Sequence, residues 1–151
     1  MVEVPDFDPE LTGHSAVVIS QEGNSVCHAL VSKYPQGEYE QQTECGIKNY
    51  TIKETNSGLK IGFFGLIGND AVSVAHKTGS LSFKDPVETA PKLVKKLKEQ
   101  GAQVITAVTH SGLEEDKILA EKVDGIDIII GGHSHDILKK GVFINDTVIV
   151  Q

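Results

Sequence analysis

The C-terminal part of the sequence alternates between short apolar runs and longer segments of helical character, which limits the chain to few folds. Residues 60–67, 103–108 and 126–130 are nearly continuous apolar runs, the pattern of strands buried on both faces of a sheet. Residues 85–101 carry an apolar stripe at helical spacing, and residues 113–123 open with the acidic residues that favour a first helical turn. This alternation predicts an α/β fold, a layered β-sheet with flanking helices.

The longer helix has clear start and stop signals. Asp85 can cap its N-terminus, Pro86 fits the first turn, and Gly101 is a typical C-terminal stop. Pro91 lies inside the helical stripe and lacks a backbone donor, so we expect the regular part of the helix to begin only around Pro91. The stripe that should face the core comprises Ala90, Leu93, Val94 and Leu97.

The rest of the sequence predicts additional β-structure. Residues 16–19 are typical of a short buried strand, and residues 50–54 alternate in the manner of an edge strand. Residues 56–58 form a predicted turn between that edge strand and the first long apolar run. Residues 142–150 predict a closing hairpin around an Asn-Asp pair.

Charge and composition exclude several classes of function. The 151 residues include 14 Lys plus Arg and 21 Asp plus Glu, for a net charge of −7. An acidic chain argues against a nucleic-acid polymer as partner, because phosphate binding relies on Lys and Arg. No apolar run approaches the roughly 20 residues of a membrane span, and residues 1–10 lack the apolar core of a signal peptide. These features leave the localisation unknown, and Cys27 and Cys45 are too few for a disulfide framework.

Three of the six histidines stand after predicted strands. His110 follows residues 103–108, and His133 and His135 follow residues 126–130. Because ligands bind at the carboxyl ends of strands in open α/β sheets, these three imidazoles should meet at one edge. Imidazole is the commonest metal ligand and suits Zn, Fe, Mn or Ni, so we predict a metal site here. The other histidines are expected at the surface or in loops: His14, His28 and His76.

The residues around these histidines resemble a known family. Gly131 and Gly132 permit a sharp turn and a close approach of the backbone to a metal. The motif Gly132-His133-Ser134-His135 resembles the Gly-His-x-His metal motif of the calcineurin-like metallophosphoesterases. The second half of the catalytic domain of 5′-nucleotidases and 2′,3′-cyclic phosphodiesterases is similar to three segments of this sequence: KIGFFGLIG, DPVETAPKLVKKLKEQGAQVITAVTHSGLEEDKILAEKVDGIDIIIGGHSHDIL and TVIVQ.

The resemblance implies a four-layer αββα domain that hydrolyses phosphoric esters with two divalent ions. By position, it implies that His110 and His133 are ligands of the second metal and that His135 is a ligand of the first. It implies Zn, Mn, Fe, Mg or Ca as the metal, and a nucleotide or other small phosphoester as the substrate. It assigns no catalytic or substrate-binding residue to this chain, and family members are often periplasmic or extracellular.

Other motifs of the family have no counterpart in this sequence. Complete members begin with Asp-x-His, Gly-Asp and Gly-Asn-His, and none of the three occurs here. Gly68-Asn69-Asp70 imitates the third motif but is interpreted as a coincidence, so no acidic residue is expected at the histidines. We therefore assign residues 1–49 to a strand and loop region and residues 50–151 to the C-terminal half of a metallophosphoesterase catalytic domain. Two ions are expected only if the missing half is supplied, and the isolated chain is expected to be partial or inactive.

Two other functions stay open. One is a non-catalytic remnant that binds a metal ion or a protein partner, since half of the metal motifs are absent. The other is a flavodoxin-like nucleotide or phosphate binder, which ranks last because no Gly-x-Gly-x-x-Gly loop follows the first long apolar run. We also expect an exposed sheet edge at Phe63 and Phe64, through which the chain would self-associate.

Overall fold

The structure is a computed structural model, and it describes residues 48–75 and 83–151. The predicted strand at residues 16–19 lies outside the described residues. So do both cysteines and three of the histidines, namely Cys27, Cys45, His14, His28 and His76.

Within these residues the chain forms strands β1 (Tyr50–Glu54), β2 (Lys60–Ile67), β3 (Val104–His110), β4 (Ile128–Ile130), β5 (Val142–Ile144) and β6 (Thr147–Val150). The helices are α1 (Asn69–Ser73), α2 (Pro86–Glu99) and α3 (Leu113–Lys122). The six strands form one sheet in the order β1-β2-β3-β4-β6-β5. The four central strands are parallel, and β1 and β5 are antiparallel to their neighbours at the two edges. The predicted α/β fold is confirmed.

The strand boundaries differ from the prediction at two places. β3 extends to His110, so this histidine is the last residue of the strand and does not belong to the turn that follows it. β4 begins only at Ile128, two residues later than expected. Just before it, the side chain of Asp127 accepts a hydrogen bond from the backbone N–H of Ile105 at 2.7 Å, which replaces a backbone partner at that position.

Helix α2 begins as predicted, because Oδ1 of Asp85 accepts hydrogen bonds from the backbone N–H groups of Val87 and Glu88 at 2.7 and 3.2 Å. The expectation that regular helix starts only around Pro91 is wrong, since α2 is continuous from its first residue. Pro91 is exposed, and burial of the neighbouring stripe offsets the hydrogen bond that its ring removes. The stripe residues Ala90, Val94 and Leu97 are buried, and Gly101 ends the helix at φ +88°.

One face of the sheet carries the core. Gly62 and Phe64 of β2 lie in register with Ile105 and Ala107 of β3, and all four contribute to the face that packs on α2 and α3. A Cβ atom at Gly62 would lie 2.9 Å from Cδ2 of Leu97, so the glycine lets α2 pack close to the sheet. The same core contains residues of α3, β4 and β6, including Leu119, Ala120, Ile129 and Ile149.

The opposite face is less covered than the sequence predicts. Ile130 of β4 and Val150 of β6 are 42% and 38% exposed, although the apolar run at residues 126–130 predicted burial on both faces. The described helices pack on the other face, and Ile130 lies at the very end of its strand, where the sheet gives way to the turn.

The sheet edges also correct one expectation. β1 is an edge strand, as predicted, and it pairs with the first five residues of β2, from Tyr50 opposite Phe64 to Glu54 opposite Lys60. Phe63 and Phe64 are therefore inside the sheet instead of at an exposed edge, and Phe64 is only 1% exposed. Self-association through a sheet edge stays a prediction. The predicted hairpin is present, with Asn145 at φ 50° in its turn.

No helix within residues 48–75 and 83–151 combines the length and apolar character needed to cross a membrane.

Candidate functional site

Three parallel strands deliver polar side chains to one edge of the sheet. β2 leads into α1, which carries Asp70; β3 ends at His110; and the turn after β4 carries His133. Because β2, β3 and β4 are neighbours and run in the same direction, their carboxyl ends lie side by side. The topology therefore explains why residues from three distant parts of the sequence meet here.

The three side chains form a hydrogen-bonded series. Nδ1 of His133 lies 3.2 Å from Nε2 of His110, and Nε2 of His133 lies 3.1 Å from Oδ2 of Asp70. The two imidazole rings are arranged edge to face, with centroids 4.9 Å apart and planes inclined at 66°. The His133 side chain is 10% exposed, whereas that of Asp70 is 69% exposed. His133 thus stands between a second imidazole and a carboxylate at the rim of the site.

Helix α1 is held in place by groups from β3 and α3. The carboxylate of Glu115 accepts hydrogen bonds from the backbone N–H groups of Asn69 and Asp70, each at 2.8 Å. The N–H of Gly68 donates to the carbonyl of His110 at 3.0 Å. A Cβ atom at Gly68 would lie 2.5 Å from both Oε2 of Glu115 and Cα of Ser111, so only glycine fits. These contacts fix Asp70 relative to His110.

The turns after β3 and β4 are joined directly. The N–H of Gly112 donates to the carbonyl of Gly132 at 2.8 Å, and the N–H of Leu113 donates to Oγ of Ser134 at 3.1 Å. Gly112 adopts φ +85°, a conformation that favours glycine. A Cβ at Gly132 would be 3.5 Å from Nδ1 of His110, so the backbone of one turn packs on the ring carried by the other strand.

His135 does not take part in the hydrogen-bonded series. Its side chain is exposed and its φ is 58°. With the Gln151 side chain oriented to satisfy its surroundings, the Gln151 amide oxygen accepts from the backbone N–H of His135 at 3.1 Å. Of the three predicted ligands, the structure therefore brings together His110 and His133, and leaves His135 at the surface of the turn.

A buried acid lies under the site and was missed by the sequence analysis. Asp116, in the first turn of α3, is fully buried, and no hydrogen bond reaches either carboxylate oxygen within the described part of the chain. Burial raises the pKa of Asp116 to about 6, and the charge of Glu115 acts in the same direction. Nothing in its sequence position distinguishes Asp116 from Glu114 and Glu115, which precede it in the same helical turn.

The expectation that no acidic residue lies at the histidines is wrong, because Asp70 contacts His133. The sequence did contain a signal for Asp70, because this residue follows the carboxyl end of the parallel strand β2. The same rule, that ligands bind at the carboxyl ends of parallel strands, had led to the prediction of the histidines. Glu115 had no such signal, because its contact with α1 depends on the packing of α3 against the end of β2.

The described side chains supply some, but not all, of the ligands that one metal ion needs. Among residues 48–75 and 83–151, no group of three or more His, Cys, Asp or Glu side chains converges closely enough to hold a metal ion. The 3.2 Å between the facing nitrogens of His110 and His133 is nevertheless close to the separation of about 3.3 Å expected for two nitrogens on one tetrahedral ion. These two residues can therefore provide two ligands, and the remaining ligands would come from elsewhere.

Curated proteins of known family resemble this chain in sequence, and two of them illustrate the match. The trifunctional nucleotide phosphoesterase protein YfkN of Bacillus subtilis is 36% identical over 115 residues, which is 74% of this chain and 8% of that protein. A 5′-nucleotidase of Diplobatis ommata is 35% identical over 113 residues, again 74% of this chain and 19% of that protein. No protein-family profile matches the chain. The chain thus spans less than a quarter of the length of either relative.

The solved structures agree with the sequence comparison. The 5′-nucleotidase precursor from Thermus thermophilus superposes with a TM-score of 0.64 at 26% identity, covering 74% of this chain and 25% of that one. The sequence and the α/β fold point to the same group of proteins. The chain is a homologue of the 5′-nucleotidases and of the calcineurin-like phosphoesterase YfkN.

Proposed function

We propose that the chain supplies one part of the metal site of a metal-dependent phosphoester hydrolase of the 5′-nucleotidase type. The observation that carries this proposal is the approach of Nε2 of His110 to Nδ1 of His133 at the carboxyl edge of the sheet. The names of the homologues support a nucleotide or another small phosphoester as the substrate. The assignment of residues 50–151 to the C-terminal half of such a domain is part of this proposal.

The residues of this chain would hold the ion and fix the two imidazoles. A divalent ion at such a site polarises a phosphoryl oxygen and lowers the pKa of a bound water. His110 is fixed by β3, and His133 is fixed by the turn that Gly112 and Gly132 join to β3. His135 is proposed as a ligand of a second ion, for which it would need partners from outside residues 48–75 and 83–151.

Phosphate release tests the proposal. The purified chain is incubated with Mn²⁺ and either AMP or an aryl phosphate, beside His133→Ala and the surface control Asp146→Asn. We expect small, Mn²⁺-dependent release from the wild type and from Asp146→Asn, and background release from His133→Ala. Equal release from the wild type and His133→Ala would show that this chain does not hydrolyse phosphoesters through the proposed site.

A second candidate is a non-catalytic remnant that binds a single metal ion. It is favoured by the convergence of only two imidazoles in the described part of the chain, with His135 exposed. Metal analysis of the dialysed protein would then give about one ion per chain, lost when His133 and His135 are both replaced. Two tightly held ions per chain would contradict this candidate.

A further inference from the structure

We propose that Asp70 is a positioning residue that fixes the tautomer of His133, so that Nδ1 of His133 faces the metal ion shared with His110. This inference rests on the proposed function and adds a residue outside the histidine motifs. It starts from the 3.1 Å contact between Oδ2 of Asp70 and Nε2 of His133. The other nitrogen of the same ring is the one that faces His110.

The chemistry of the two side chains determines the position of the proton. An ionised carboxylate only accepts hydrogen bonds, so Nε2 of His133 must be the donor toward Asp70. A neutral imidazole carries a single N–H, and Nδ1 therefore presents a lone pair. Asp70 thus selects, as the metal-binding atom, the ring nitrogen that lies 3.2 Å from Nε2 of His110.

The backbone of His133 gives this contact its importance. His133 has φ 89°, a region that residues with a side chain seldom adopt. The direction of the ring is set by the side-chain torsions, so the contacts that the ring makes help to fix it. With a side chain only 10% exposed, the ring is held between the carboxylate of Asp70 and the imidazole of His110.

Asp70 is itself fixed by the elements that fix His110. The Asp70 N–H donates to Glu115 at 2.8 Å, and the residue two places before it, Gly68, donates to the carbonyl of His110 at 3.0 Å. A carboxylate held in this way can orient a metal-bound imidazole and raise its basicity. At many protein metal sites a carboxylate accepts a hydrogen bond from a metal-bound imidazole. Removal of such a carboxylate weakens metal affinity about 10- to 100-fold.

Cobalt binding tests the effect on affinity. Co²⁺ is titrated into the chain and followed by its visible absorption, for the wild type, Asp70→Ala, Asp70→Asn, His133→Ala and Asp146→Asn. We expect Asp70→Ala to weaken binding about 10- to 100-fold. Asp70→Asn should weaken binding less, because its amide oxygen still accepts from Nε2 of His133. Asp146, exposed in the hairpin turn at the opposite edge of the sheet, serves as the matched control and should not alter binding.

Nitrogen-15 NMR of the imidazoles tests the tautomer directly, without a metal. The wild type should show His133 in the Nε2–H form, and Asp70→Ala should show a mixture of tautomers at unchanged thermal stability. Asp70→Leu, which also removes the acceptor, provides the same test if Asp70→Ala fails to fold, and Asp70→Asn should keep the Nε2–H form. A purely structural role of Asp70 would change the stability and leave the tautomer as it is.

Three results would overturn the inference. Wild-type Co²⁺ affinity and tautomer in both Asp70 variants would remove the positioning role, while His133→Ala still loses the ion and the proposed function stands. Loss of all detectable Co²⁺ binding in Asp70→Ala, with His133 still in the Nε2–H form, would make Asp70 a direct ligand instead of a positioning residue. Wild-type Co²⁺ affinity in His133→Ala would instead show that the proposed metal site itself is wrong.

Discussion

Oδ2 of Asp116 lies directly against Gly131, so closely that a side chain at Gly131 would overlap it. Asp116 belongs to α3 and Gly131 to the turn that carries His133, so a buried carboxyl group supports the turn from below. Burial without hydrogen-bond partners disfavours the ionised form of such a group. The turn that carries His133 is therefore linked to the protonation state of the buried Asp116 carboxyl group.

Replacement of Asp116 by Asn should change how stability depends on pH. The pKa of Asp116 rises from 3.8 to about 6 on folding, so between these values the folded chain binds more protons than the unfolded chain. Wild-type stability should therefore fall as pH rises through this window and stay lowered above about pH 6, by on the order of 3 kcal/mol at most. Asn is neutral throughout, so the advantage of Asp116→Asn in free energy of unfolding should grow from pH 4 to 6 and then level off.

Urea unfolding at pH values from 4 to 8 measures this difference. Asp146→Asn is the control, because Asp146 is exposed and its replacement removes the same charge. A constant difference between Asp116→Asn and the wild type at all pH values would contradict the prediction.

Replacement of Pro91 by Ala should stabilise the chain. Pro91 lies in the interior of α2 on its exposed side, where its ring removes a backbone hydrogen bond and no buried contact compensates locally. We expect the free energy of unfolding to rise by about 2 kcal/mol in Pro91→Ala. Pro86→Ala is the matched control, because Pro86 occupies the first helical position, where a missing N–H has no effect, and it should give no gain. Urea unfolding compares the two, and equal stabilities of Pro91→Ala and the wild type would refute the prediction.

Local patterns were sufficient to predict most of the fold and the pair His110 and His133. The apolar run at β2, the start of α2 at Asp85 and the closing hairpin are each encoded within a few neighbouring residues. The carboxyl-edge rule for parallel strands then brought the histidines of two successive strands together. The prediction that Pro91 delays α2 failed because burial of the stripe outweighs one absent hydrogen bond.

Helix α1 and the contact of Asp70 could not be obtained in this way. A helix of five residues is too short to show periodicity, and no side chain within it provides an N-terminal cap. Its first N–H groups are satisfied by Glu115, which lies 46 residues further along the chain from Asn69. Such a helix becomes apparent only when β2, β3 and α3 are packed together.

Replacement of Gly68 by Ala should disturb this arrangement. The new Cβ would lie 2.5 Å from the backbone of Ser111 and from the carboxylate of Glu115, so α1 must shift. We expect the free energy of unfolding to fall by about 1 to 3 kcal/mol, and Co²⁺ affinity to fall because Asp70 moves with α1. Gly58→Ala is the control, since Gly58 at φ +83° has open space around it, and its replacement strains only a distant turn. Unchanged Co²⁺ affinity in Gly68→Ala would show that the placement of α1 does not influence the site.

The histidines themselves should be unequal in binding a single ion. His110 and His133 face each other at 3.2 Å, whereas His135 is exposed and outside their hydrogen-bonded series. We expect His110→Ala and His133→Ala each to lower Co²⁺ affinity by more than about tenfold, and His135→Ala to change it by less than about twofold. Titrations monitored by visible absorption, with Asp146→Asn as the surface control, provide the comparison. The contrary result would be an equal loss of Co²⁺ affinity in His135→Ala and His133→Ala, with no loss in His110→Ala. The ion would then be bound within the turn after β4, and His110 and His133 would not be its ligand pair.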